Sequence, residues 1–184
     1  MSALLSVSKA IDVLNQRIGA AVYWLVLLMS LVSAYNAIVR WLGGIFKLTL
    51  ASNAYLELQW YLFSMVFLLG AGYTLKHNGH VRIDVFFGKL KPRTQAWIDI
   101  LGTLIFLLPF VGFVFFASLE FVRESWGEMS PDPGGLPRYP IRAAIPVAMA
   151  LLFLQGVSEL IKRIAFLSGR AEYKLQAEHA EEVV

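Results

Sequence analysis

Residues 97–119 read WIDILGTLIFLLPFVGFVFFASL, and Asp99 is the one charged residue in the run. A helix rises about 1.5 Å per residue, so roughly 20 apolar residues in a row cross a ~30 Å hydrocarbon core. Three further runs of comparable length and character occupy 18–41, 56–75 and 141–161. Backbone N–H and C=O groups cannot remain unpaired in lipid, so runs of this kind must close their hydrogen bonds internally, as helices. A β-barrel would need alternating segments of ~10 residues, and the sequence contains none. The expected fold is an all-α integral membrane protein of four transmembrane helices, forming a single membrane domain over 1–184.

The composition agrees. Of 184 residues, 58% are hydrophobic and 16% charged, and the mean hydropathy is +0.62. Soluble domains run near 45–50% apolar and about 25% charged. The first run is longer than the 7–15 apolar residues of a signal sequence, so it is expected to stay as a membrane helix. There is no cysteine, which excludes disulfides and thiolate chemistry.

The cations set the expected orientation. Lys9 and Arg17 precede the first run. Lys76, Arg82, Lys89, Lys91 and Arg93 lie between the second and third, and Lys162, Arg163, Arg170 and Lys174 follow the fourth. The opposite side holds only Arg40, Lys47, Arg123, Arg138 and Arg142. The positive-inside rule then puts both termini in the cytoplasm. The basic balance is therefore a topology signal, and no nucleic-acid partner is expected. Membrane lipids are.

Between the second and third runs, residues 76–94 read KHNGHVRIDVFFGKLKPRT. Asn78-Gly79 is a turn signal and Pro92 a stop. Ile83, Phe86, Phe87 and Leu90 follow helical spacing, so an amphipathic segment over about 80–91 is expected to lie in the membrane interface. His77 and His80 flank one helix exit, which suits neither haem held between facing helices nor a fixed metal site. No catalytic residue, resident cofactor or metal site is expected.

Polar residues inside the runs are few. Glu57 and Asp99 are expected near helix N-termini, where the helix dipole favours an acid. Glu159 has Lys162 and Arg163 three and four residues on, the spacing of ordinary helical ion pairs. Ser33, Asn36 and Arg40 form a stripe on the first helix, and Gln155 and Ser158 lie on the fourth; such stripes join helices or face a partner. Pro109 and Pro146 are expected to bend their helices. The loop SWGEMSPDPGGLPRYP, residues 125–140, is the largest segment on the outer side, and composition allows either a docking surface for anything outside or an inert connector. The tail, 168–184, is expected to be a frayed cytoplasmic helix.

Three features together resemble a known family. They are Glu57-Leu58 opening the second helix, Gly70-Ala71-Gly72 followed by Gly79-His80-Val81-Arg82-Ile83-Asp84 at its exit, and GGLPRYPIRAAIPV running into LLFLQGVSELIKR. Over roughly 15–168 the chain resembles the small, DctQ-like membrane subunit of tripartite ATP-independent periplasmic (TRAP) transporters. The resemblance implies a multi-pass protein of the bacterial inner membrane with no enzymatic activity. It implies two partners, a large membrane subunit that holds the sodium sites and a periplasmic binding protein that delivers an organic acid. The small subunit would act as a scaffold. By analogy Arg82 and Asp84, with His80, belong to the cytoplasmic boundary of the complex. Glu57, Ser33, Asn36, Arg40, Arg138, Tyr139 and Arg142 are the other interface candidates. The competing reading is a membrane anchor of a haem- or quinone-dependent redox complex.

Overall fold

The computed structural model describes residues 2–47, 52–79 and 87–169. His80, Arg82 and Asp84, most of the expected interfacial segment and the tail from residue 170 lie outside the described residues.

Helix α1 spans Ser2–Phe46, α2 Asn53–Lys76, α3 Pro92–Gly102, α4 Leu108–Glu124 and α5 Tyr139–Leu167. A π-helical turn, Thr103–Leu107, joins α3 to α4, so four helical spans are long and apolar enough to cross a membrane. The expected four-helix fold is present.

The helices differ from their expected limits in instructive ways. At 45 residues, α1 is about 65 Å long and far exceeds a membrane crossing. It begins sixteen residues before the apolar run because the polar lead is itself helical: Ser8 and Asn15 are buried and Asp12 is half-buried, all facing partners on α5. Helix α2 starts under the hydroxyl of Ser52, which accepts the Ala54 N–H at 3.2 Å. It ends in a Schellman motif, with Asn78 N–H bonded to the Leu75 carbonyl and Gly79 N–H to the Thr74 carbonyl. Asn78 takes the left-handed φ of 54° that this motif needs at its turn residue, so the Asn78-Gly79 turn is borne out.

Pro92 stands at the start of α3, where its missing N–H costs nothing. The third span therefore begins well before Asp99. Pro109 has no N–H to give the carbonyl of residue 105, and its ring crowds that carbonyl. The chain answers with the π turn, in which the Leu108 N–H bonds to the Thr103 carbonyl five residues back. The turn packs its Leu107 and Leu108 side chains against Gly156 of α5, where any Cβ would collide with them. Helix α5 continues through Pro146, which is buried.

Helices α1, α2 and α5 pack against one another as a triangle, and the third span leans on α5. The triangle closes at Gly72: a Cβ there would overlap the Asn15 side chain. Small residues at such crossings let helix backbones approach closely in lipid.

Candidate interaction surfaces at the two ends of the bundle

Two polar assemblies occur, one at each end. At the end carrying the loop between α4 and α5, the centre is Glu57. It sits in the second turn of α2, not the first, and is 2% exposed. The helix-dipole expectation for it is thus replaced by a different partner: its Oε2 accepts the Leu136 N–H of the loop at 3.0 Å. Gly134 lies directly on the Glu57 side chain, leaving no room for a Cβ.

The loop is folded around this carboxylate. Met129 and Pro137 form an antiparallel bridge, Ser130 N–H bonds to the Leu136 carbonyl at 2.9 Å, and Arg138 N–H to the Glu128 carbonyl at 3.0 Å. Gly135, with φ +63°, closes the turn by donating its N–H to the Asp132 carbonyl. Arg138 and Arg142 both donate to the Glu128 carboxylate, at 3.3 and 2.6 Å. The Arg142 guanidinium also lies 4.1 Å from the Phe121 ring centre. Tyr139 meets Trp126 edge to face, and Trp126 is 72% exposed. Four of the expected interface residues, Glu57, Arg138, Tyr139 and Arg142, are thus brought together.

On the same end, the first-helix stripe is partly turned inward. Asn36 is buried, and Ser33 is half-buried. Arg40 donates to Asn36 Oδ1 at 3.4 Å and to Asn53 Oδ1 at 3.0 Å, joining α1 to the start of α2.

The opposite end is held mainly by side-chain to side-chain bonds. Asp12 of α1 accepts from Ser158 at 2.8 Å and Gln155 at 3.0 Å, and pairs with Lys162 at 3.1 Å. Ser8 and Ser158 hydroxyls meet at 2.7 Å. Asn15 donates to Gln155 Oε1 at 2.9 Å, and Gln155 in turn donates to Glu159 at 3.1 Å. Lys76 reaches from α2 to the Asp12 carbonyl and to Gln16. Glu159 pairs with Lys162 as its spacing predicts, but Arg163 goes elsewhere. It pairs with Asp99 at 3.2 Å, so Asp99 ties α3 to α5 and does not cap its own helix.

The sequence reading missed Ser8, Asp12 and Asn15. The signal was there: they recur at i, i+4 and i+7, matching Gln155, Ser158, Glu159 and Lys162 on the fourth helix. They precede the first apolar run, so apolar length alone does not draw attention to them. Among the described residues, no three His, Asp or Glu gather as a metal site would require.

Compared with known families, residues 29–166 match the model for tripartite ATP-independent periplasmic transporters, DctQ component. No curated protein matches, and neither does any solved structure. The matched region contains Glu57, the folded loop, and the α5 half of the polar lattice, whereas Ser8, Asp12 and Asn15 precede it. The match covers three quarters of the chain, from the middle of α1 to the end of α5, and the chain belongs to the DctQ family, the small membrane component of TRAP transporters.

Proposed function

We propose that this chain is a non-catalytic scaffold that holds the large membrane subunit of a sodium-coupled importer of organic acids in the inner membrane, with both termini in the cytoplasm. The observation that carries this reading is how the polar groups of the helices are used. Asp12, Asn15, Gln155 and Ser158 are bonded to one another across helices, as glue between spans. The outward faces are apolar, with Trp24, Phe106, Phe113 and Phe116 each more than 70% exposed. A body whose helices are joined by these polar bonds and whose exterior is largely apolar suits packing against lipid and another membrane protein.

The loop over Glu57 would face the periplasm and present Trp126 and Met129 to the binding protein. The redox-anchor alternative gains nothing from the family match, and His77, the one histidine among the described residues, sits at the exit of α2. Reconstitution tests the proposal. Uptake into liposomes should require this chain, the large subunit, the binding protein and a sodium gradient together, and this chain alone should pass no solute. Full uptake by the large subunit and binding protein without this chain would overturn the scaffold role.

A further inference from the structure

Because α2 and the third span both lean on α5, a groove runs between them with α5 as its floor. Its half nearest the folded loop encloses about 660 Å³, and Phe63, Phe67, Phe110, Met149, Arg138 and Arg142 are among its lining residues. The half nearer the opposite end has a volume of about 850 Å³ and shares Phe110 and Met149 with the first. The walls are soft: Phe63, Phe67 and Phe110 are 58%, 72% and 66% exposed.

Two observations bear on what would fill it. Where helices of this chain meet each other closely, one contributes a glycine: Gly19 against Tyr73, Gly72 against Asn15, Gly156 against Leu107. Close helix packing in membranes relies on such small residues. The half of the groove near the folded loop offers none but Ser64 among large aromatic and aliphatic side chains, so it suits flexible hydrocarbon better than a helix. At its mouth stand two guanidiniums that share a single carboxylate, Glu128. Each guanidinium carries five N–H donors and matches the geometry of a phosphate. Arg142 is also held in place by the Phe121 face, which aims it before any ligand arrives.

We infer that the half of this groove nearest the folded loop is a phospholipid site: acyl chains lie along α5 between α2 and α4, and the phosphate is bound by Arg142 and Arg138. The inference goes beyond the scaffold role and does not depend on it, because it concerns the chain's own surface.

The test is native mass spectrometry of the full transporter complex, released from mild detergent after extraction from the membrane. The wild type should retain a phospholipid. Met149→Trp, which fills the floor, should weaken retention by about tenfold, and Met149→Leu should keep it. Arg142→Gln should lower retention while leaving the thermal transition of the complex within a few degrees. A photo-reactive side chain at Ser64 should give adducts with lipid. Absence of lipid from the wild type, retention unchanged by Met149→Trp, or Ser64 adducts to the large subunit in place of lipid would each overturn the site. Recovery of the large subunit with this chain, scored in the same preparations, reports on the scaffold reading separately.

Discussion

Glu57 and Asp12 are carboxylates at opposite ends of the same bundle, and they are satisfied in different ways. Glu57 is buried and takes a backbone N–H from a loop, so one side chain anchors a segment that is otherwise held by its own turns and a single bridge. Asp12 is half-buried and takes side-chain donors from α5, Ser158, Gln155 and Lys162, together with the neighbouring contacts of Lys76. The first arrangement sets the conformation of a surface, and the second sets the register of three helices. Damage at the Asp12 end should therefore loosen the whole bundle, while damage at Glu57 should stay local.

The harshest test of that contrast is Gly72→Val. A branched side chain would strike Asn15 and crowd the Leu151 carbonyl, forcing α1, α2 and α5 apart where they converge. Overpacking of this kind costs about 1–3 kcal/mol, and displacing Asn15 also removes its bond to Gln155. Thermal unfolding in detergent should shift downward as a single transition. If only the loop loosened and the bundle melted unchanged, the division between the two ends would be wrong.

Glu57→Ala comes next. It leaves the Leu136 N–H without its acceptor and opens space beneath Gly134. An orphaned partly buried donor costs about 1–2 kcal/mol, and here the cost should fall on the loop. Limited proteolysis after Arg138 or near Trp126 should quicken several-fold while the main thermal transition moves little. Glu57→Gln, whose amide oxygen can still accept, should recover most of the protection. A fall in bundle stability as large as that of Gly72→Val would remove the distinction.

How much of this was legible from the residues follows from which forces are periodic. The four spans could be read because apolar burial repeats along the chain and a helix is the one way for these runs to cross lipid. The turn at Asn78-Gly79 could be read because its backbone demands those residue types. Glu57 stands out in the sequence as an acid near a helix start and an interface candidate, but nothing local says that Gly134 and Leu136, nearly eighty residues away, close over it. Asp99 stands near the start of the apolar run but seven residues into the helix that Pro92 opens, and its pairing with Arg163 is a long-range contact. Asp12 was missed altogether. Polar residues before an apolar run look like a solvated leader until their partners on another helix are known.

A milder change at the Asp12 end asks whether charge or hydrogen bonding fixes the register. Asp12→Asn keeps an acceptor for Ser158 and Gln155 but gives up the ion pair with Lys162, which retains Glu159. The Lys162 and Asp12 side chains are 33% and 21% exposed, so water screens the pair and the loss should be about 0.5–1 kcal/mol. The whole bundle should melt slightly earlier, still in one transition. Asp12→Leu, which also removes the acceptor for Ser158 and Gln155, should cost clearly more; equal losses would mean that the ion pair alone holds the register.

The smallest effect is expected at Glu128, and its smallness carries information. Its side chain is 42% exposed, so its pairs with Arg138 and Arg142 are screened and contribute only about 0.2–1 kcal/mol. Glu128→Gln should therefore leave the loop nearly as protected from protease as the wild type. The small wild-type contribution should fade further as ionic strength shortens the Debye length from about 10 Å at 0.1 M to about 3 Å at 1 M. Arg142 should hold its place in that variant, because the Phe121 ring is a second contact that the change does not touch. Arg142→Ala removes both contacts at once and should expose the loop more than Glu128→Gln does, in high salt as well as low. If the two variants behaved alike and both effects vanished in salt, the loop end would be held by charge. If they differ as expected, that end is shaped by Glu57 beneath the loop and Phe121 beside it, with the surface ion pairs adding little.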